Sequence, residues 1–407
     1  MPVPEPPVLG QRALNRALLE RQLLLRRASM APLQAITHLA GMQAQAPNAP
    51  YVGLWTRLAG FRPAELTELM TERVVVRTHL MRNTVHLVTA ADCLAAKGLY
   101  RAGAARSFAS SPFARNVAGI DLRSLVEAGR ALLTERPRTR AELGRLLAGR
   151  WPGRDPASLA YAVTYHVPTV QVPPRGIWGS AGPAAFTTTE AWLGGDPPPP
   201  CDGPDRLVLR YLAAFGPATV QDAATWSGLT GLREVAERLR PRLRTFRDAD
   251  GRELLELPDA PRPDPDTPAP PRFLPEYDNL LLSHADRARV IPVRRSVPLP
   301  PGMGGTRGTV LVDGFWQATW KITRGREGGA GGDGGAGPEG GAGGARGDGG
   351  AAVLWVEPFA RLSPRQAAAV AEEGARLLGF AAADAGTHDV RVVQEHAHKV
   401  VPGRAYW

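Results

Sequence analysis

The sequence predicts an α+β chain: helical units, each closed by a β-hairpin, followed by a β-rich C-terminal domain. Three observations carry this. In the first 260 residues the apolar spacing switches again and again from the three-and-four interval of a helix to the period of two of a strand. Proline-rich stretches at Pro197–Pro200 and Pro258–Pro271 interrupt the pattern and mark unit boundaries. Beyond Pro271 most apolar residues fall into short alternating runs, with one helical stretch among them.

The first unit opens after a Pro-rich start. Leu14, Leu18 and Leu25 share a face of a helix predicted from about Arg12 to Arg27. A second helix follows from Pro32 to Ala40, and Gly41 is a natural terminator. Tyr51, Leu54, Trp55 and Leu58 form the stripe of a third helix, and Pro63 opens a fourth carrying Leu66, Leu69 and Met70. Val74 to Leu80 then alternates with a period of two, Arg82-Asn83 makes a turn, and Thr84 to Val88 returns. Helices followed by a hairpin is the order of a winged helix, a relative of the helix-turn-helix that docks on DNA.

The order comes twice more. Leu122 to Leu133, a Thr139-x-x-Glu142 capping box before Leu143 to Leu147, and Ala157 to Tyr165 suit helices. Two extended pieces follow, Thr169 to Val172 and Gly176 to Gly179. The third copy has helices at Leu207–Phe215, Thr219–Ser227 and Leu232–Leu239, then a hairpin from Leu243 to Leu257 turning at Asp248–Gly251. Units this small bury little core alone, so tandem packing is expected. The boundaries predicted are 8–110, 111–200 and 201–260, three winged helices, and a β-barrel-like domain at 272–407. In the last, strands are expected at Arg289–Val293, Gly308–Val312, Phe315–Thr323, Ala352–Val356 and Asp389–Gln394, with a helix at Pro364–Leu378. The Gly/Ala-rich tract from Gly325 to Gly350 reads as a flexible hairpin tip, because its chance G-x-G-x-x-G matches lack a strand-to-helix setting.

The formal charge of +10 suits an anionic partner. Only Lys97, Lys321 and Lys399 are lysines, so the charge is nearly all arginine, which also follows from a composition rich in Ala, Gly and Pro. Cys93 and Cys201, the only cysteines, form no paired motif, which argues against a disulfide framework or a thiolate zinc site. The start lacks the apolar core of a signal peptide and no apolar run approaches a membrane span, so a cytoplasmic, nucleoid-associated monomer is expected. No metal or cofactor site is expected: His396-Ala397-His398 lacks a third ligand, and no P-loop, kinase set or nucleophile elbow is present.

Two stretches carry candidate chemistry. In Gly41-Met42-Gln43-Ala44-Gln45-Ala46-Pro47 a helix has just ended, and Pro47 and Pro50 keep the chain extended. Residues two apart on an extended chain point to one side, so Gln43 and Gln45 present paired amides able to orient one water. By itself the pattern is better read as a plain polar loop, since two glutamines two apart occur by chance in many proteins. On the first hairpin, Arg73, Arg77 and His79 share a strand face, Arg82 caps the turn and His86 returns. They form either a wing whose cations grip phosphates or a solvated sheet face. Arg324, beside the Gly/Ala tract, is added to the DNA-contacting set. Glu276 and Asp278, in Phe273-Leu274-Pro275-Glu276-Tyr277-Asp278-Asn279, are either a catalytic pair or a domain tie, with the tie favoured.

Gly41–Pro47, Arg77–His86, Leu274–His284 and Val312-Asp313-Gly314-Phe315-Trp316 together resemble the bacterial AlkZ/YcaQ family. The resemblance runs from about residue 10 to the C-terminus, although the Gly/Ala tract exceeds what a working hairpin needs. It implies tandem winged helices plus a β-barrel, and DNA glycosylases that act on alkylated DNA and interstrand crosslinks. Their Gln-aliphatic-Gln catalytic motif falls on Gln43-Ala44-Gln45 and sides with the AlkZ branch, since the YcaQ branch has Asp at the last position. The substrate implied is double-stranded DNA carrying N7-alkylguanine, whose cationic base leaves readily through an oxocarbenium-like state. With three lysines, none near Gln43 in sequence, a monofunctional enzyme is expected, because a β-lyase uses an amine nucleophile. The competing class is a non-enzymatic DNA-binding protein, such as a transcription regulator, in which the glutamines are bystanders.

Overall fold

The computed structural model describes residues 5–96, 98–194, 203–292, 307–325 and 350–393. The expectations for the Gly/Ala tract and for His396 and His398 fall outside these residues, apart from the tract's two ends. The chain starts with β1 (Val8–Leu9) and α1 (Gln11–Arg21). The helix expected to reach Arg27 stops at Arg21, and Leu23 adopts a left-handed φ of 58°. Leaving the helix there lets Leu24 and Leu25 enter the core, while the Leu24 carbonyl accepts from Arg272 Nε at 2.9 Å.

α2 (Pro32–His38) leads through Gly41 into β2 (Met42–Gln43), followed by α3 (Ala49–Arg57) and α4 (Pro63–Thr71). Gly41 has φ +92°, and a Cβ there would lie 2.7 Å from Val88 Cγ1, so only glycine brings α2 into the strand this closely. The hairpin is β3 (Val75–His79) and β4 (Val85–Thr89), with Arg82 and Asn83 both left-handed at its tip. Three Ala-rich helices that the apolar spacing did not indicate come next: α5 (Ala90–Ala96), α6 (Arg101–Ala109) and α7 (Pro112–Asn116).

The second set comprises α8 (Leu122–Glu135), β5 (Arg138–Thr139), α9 (Arg140–Ala148), α10 (Pro156–His166), β6 (Thr169–Val172), β7 (Ala185–Thr188) and α11 (Thr189–Leu193). The capping box expected at Thr139 forms, with the Glu142 N–H donating to Thr139 Oγ1 at 3.2 Å. The extended piece expected at Gly176–Gly179 is instead a turn, and the returning strand is β7. A strand at Gly176 is precluded by its φ of +92° and its contact with Arg77, whose Cδ would lie 2.6 Å from an added Cβ. The two hairpins then join edge to edge. β3 pairs antiparallel with β6, Arg77 opposite Gln171 and Thr78 opposite Val170, giving one six-stranded sheet ordered β2-β4-β3-β6-β7-β5. Pairing two hairpin edges satisfies backbone groups that would otherwise be exposed.

α12 (Gly203–Phe215), α13 (Val220–Ser227) and α14 (Leu232–Leu239) precede the hairpin β8 (Arg244–Asp248) and β9 (Glu253–Glu256), with a short bridge from Ala218 to Leu255. Thus the order helix, short strand, helix, helix, hairpin is present in three stretches. β1 adds parallel to β8, and Arg21 at the end of α1 forms a fully buried ion pair with Glu256 of β9 while its Nη1 donates to the Leu212 carbonyl of α12 at 3.0 Å. The Pro-rich 258–271 segment runs along α1, where Pro265 and Thr267 carbonyls accept from Arg12 Nε at 2.9 Å and Arg16 Nε at 2.7 Å.

The last part is built from β10 (Arg272–Leu274), β11 (Gly308–Val312), β12 (Phe315–Arg324), β13 (Ala351–Pro358), α15 (Pro364–Ala381) and β14 (Thr387–Val392). The strand order is β10-β11-β12-β13-β14, and α15 makes the crossover that lays β14 parallel to β13. Among the described residues β10 and β14 do not pair, so the expected barrel is here an open sheet packed against α15. Arg289–Ile291 is a turn rather than a strand, held where the Trp316 N–H donates to the Val290 carbonyl at 2.9 Å. Among the described residues no helix is long and apolar enough to cross a membrane.

Candidate active site

Met42 and Ala44 enter the hydrophobic core behind the first hairpin, and their alternation sends Gln43 and Gln45 to the opposite side. β2 is short but anchored: Gln43 lies opposite His86 in the β2–β4 register, and the Ala44 N–H donates to the Val85 carbonyl at 2.7 Å. Gln43 is buried, whereas Gln45 is exposed. The segment therefore carries one amide at the protein's edge and one just behind it.

Each amide oxygen is held by a protein donor. Arg82 Nη2 donates to Gln43 Oε1 at 2.9 Å, and the Val85 N–H donates to Gln45 Oε1 at 3.3 Å. A carbonyl oxygen has two lone pairs, so each keeps an acceptor site and both amide N–H2 groups stay available. Arg82 is itself fixed, donating to Asn279 Oδ1 at 3.1 Å and to the Trp226 carbonyl. Burial pushes its pKa down to about 10, still charged at neutral pH, and all three acceptors are neutral.

Behind the strand lies Arg77, only 2% exposed. Its Nη2 donates to the Ala44 carbonyl at 2.9 Å and to Gln171 Oε1 of the second unit at 3.2 Å, and Nη1 reaches the Pro47 carbonyl at 3.4 Å. These bonds hold the main chain on both sides of Gln45. Burial, then the nearby Arg175, lowers the Arg77 pKa to about 10. His86, fully buried across from Gln43, has its pKa pushed down to about 3 by burial and then by Arg82, so it is a neutral imidazole.

Two residues of the wing expected to grip phosphates, Arg77 and His86, are buried. Arg77 is interior because the Ala44 and Pro47 carbonyls and Gln171 of β6 enclose its guanidinium, and His86, on β4 between β2 and β3, lies fully buried opposite Gln43. His79 stacks on Phe186 at 6.3 Å, with its pKa lowered to about 4 by burial. Arg73 lies before β3 with a φ of 63°, over the Trp192 ring and bonded to the Trp192 carbonyl at 3.0 Å. Arg324, on β12, is paired with Asp384 at 2.7 Å. Of the expected set the structure gathers Gln43, Gln45, Arg82 and His86, and leaves Arg73 and Arg324 outside.

Sequence reasoning missed Asn279 as a partner of the site, and its position just after Asp278 was the available signal. The tie favoured for Asp278 is present: its carboxylate takes two bonds of 2.9 Å from Arg57, both groups nearly fully buried. Glu276 has its pKa raised by burial. Asp278 and Asn279 also border a cavity of about 10 Å³ beside Gln43, room for one water.

The model of the DNA glycosylase AlkZ-like family matches residues 36–380. A search of curated proteins finds no match. Among solved structures, the DNA glycosylase AlkZ of Streptomyces sahachiroi superposes with a TM-score of 0.69 at 19% identity, covering 95% of this chain and 100% of that one. The family match spans most of the chain, and this chain belongs to the AlkZ-like DNA glycosylases.

Proposed function

We propose that the chain is a monofunctional DNA glycosylase that hydrolyses the N-glycosidic bond of N7-alkylguanine-type bases in double-stranded DNA, with water positioned by Gln43 and Gln45. The observation that carries this reading is the pair of amides on one side of a clamped extended segment, one buried and one exposed, with both oxygens held by protein donors. Such a pair can hold a water between a carbonyl lone pair and an amide N–H. An amide is a weak base, so it orients water rather than deprotonating it. The cationic base supplies the leaving-group activation, and orientation alone can remove ~7–11 kcal/mol of a barrier. The electron pair of the C1′–N9 bond leaves with the base, neutralising it, and water adds to C1′ and loses a proton to solvent.

The chain has three lysines, Lys97, Lys321 and Lys399, none near Gln43 in sequence, which suits hydrolysis rather than Schiff-base chemistry. An N7-linked interstrand crosslink presents the same bond, so unhooking belongs to the same reading. The three helix-and-hairpin stretches are taken as winged helices on one DNA-facing molecule.

The test is a panel of duplexes carrying N7-methylguanine, 8-oxoguanine or uracil, with released base quantified. Release from N7-methylguanine alone, leaving an intact abasic strand, is expected. No release from any lesion, with duplex binding retained, would favour the non-enzymatic DNA-binding reading.

A further inference from the structure

Beside the hairpin tip, bordered by Arg82 and Asn83, lies a cavity of about 260 Å³. Its lining includes Arg82, the first turn of α6 with Tyr100, Arg101 and Ala104, and Arg106 one turn further on. Among the described residues no aspartate or glutamate lines it. The surrounding sequence agrees: from Cys93 to Ile120 there is no acidic residue, while Lys97, Arg101, Arg106 and Arg115 are basic. Arg101 and Arg106 are exposed, and neither has a carboxylate partner among the described residues.

Two buried polar atoms of lining residues, Tyr100 Oη and His79 Nδ1, lack a hydrogen-bond partner. A buried hydroxyl left unpaired is costly, so a natural occupant that meets it is expected. The positive end of α6 adds to the potential of the arginines. Three cations and unsatisfied polar atoms, with no carboxylate among the described lining residues, describe a seat for an anion. The volume exceeds that of a bare phosphate.

We propose that this cavity takes a sugar–phosphate unit of the DNA backbone, its phosphodiester held by Arg101 and Arg106 and facing Arg82. The assignment rests on the glycosylase reading for the identity of the polymer. It moves the phosphate-gripping role from the strands of the first hairpin to α6. It also links substrate to the amides, because Arg82 lines the cavity and donates to Gln43 Oε1. A phosphate seated there draws Arg82 toward it and sets where Gln43 is held.

The test uses binding of the full chain to unmodified duplex, so it is independent of base release. The Arg101→Ala/Arg106→Ala variant should lower the log–log salt slope by about 1.8, two phosphate contacts at ~0.9 each. Arg123→Ala, on the exposed face of α8, should leave the slope unchanged. Single neutral methylphosphonates placed along one strand should reveal a position that weakens wild type roughly tenfold and the double variant hardly at all, a tenfold loss being the scale of one charge-assisted contact. Ala104→Trp, which fills the cavity, should erase the same sensitivity. If that variant fails to fold, the two surface arginines decide alone. An unchanged salt slope, or no methylphosphonate position that separates wild type from the double variant, overturns the proposal. So does tight binding of free dGMP abolished by Ala104→Trp while duplex binding is unaltered, since the occupant is then a free nucleotide.

Discussion

Arg77→Met separates a clamp from a phosphate contact. Methionine keeps part of the aliphatic stem and removes the guanidinium that reaches the carbonyls of Ala44 and Pro47 and the Gln171 amide. Bonds from a charged donor contribute roughly 1.5–3 kcal/mol each, but the buried cation has no carboxylate and its own desolvation opposes them. The net loss of stability should be about 1–3 kcal/mol, read from urea unfolding. The larger effect should fall on chemistry, because the main chain on both sides of Gln45 loses its tether. A misplacement of about 1 Å is enough to cost roughly 10²-fold in rate, read as single-turnover release of N7-methylguanine. The salt slope of DNA binding should not change. A slope lowered by about 0.9 with the rate intact would show Arg77 leaving the interior to hold a phosphate, and would refute the clamp.

Three further outcomes follow from the same contacts. Asp278→Ala strands the Arg57 guanidinium in the junction between α3 and the C-terminal sheet and should cost about 3–5 kcal/mol in denaturant, with Arg57→Met/Asp278→Leu recovering part of it. His86 has a folded pKa of about 3 against 6.5 when unfolded, so below pH 6.5 the unfolded chain binds the extra proton. The His86 contribution should therefore be complete above pH 6.5 and fall by about 1.4 kcal/mol per pH unit toward pH 3, on top of those of the buried His79 and His284, and His86→Gln should make the acid limb shallower by about that slope in pH-resolved unfolding. Gly41→Ala, strained at φ +92° and pressed against Val88, should lower both stability and base release, seen as matched drops in melting temperature and single-turnover rate.

Much of the fold was legible because local chemistry decided it. The Thr139 capping box, the Pro63 helix start and the Asp248–Gly251 turn each form where their residues require. The extended Gln43–Gln45 segment was legible for the same reason, from Gly41 on one side and Pro47 on the other. The fate of Arg77 and His86 was not. Period two says which side of a strand a residue takes, never what it meets there, and here Arg77 meets Gln171 of β6, 94 residues later in the chain, while His86 lies opposite Gln43 of β2. The turn at Gly176 follows from the same buried guanidinium, a contact invisible to local pattern. The helices α5–α7 escaped notice because alanine and glycine carry little periodic signal, and with them went the cavity that α6 lines.

The central claim is that Gln43 and Gln45 jointly place the attacking water, and a mutant cycle on single-turnover release of N7-methylguanine tests it most directly. Gln43→Ala and Gln45→Ala should each raise the barrier by roughly 2–4 kcal/mol with duplex affinity unchanged. The double variant should be hardly slower than either, since groups acting as a unit lose their joint effect at the first removal. Gln45→Asp, which offers a carboxylate where the amide stood, should keep partial activity. Wild-type rates in all four variants would contradict the account and leave the two glutamines as bystanders.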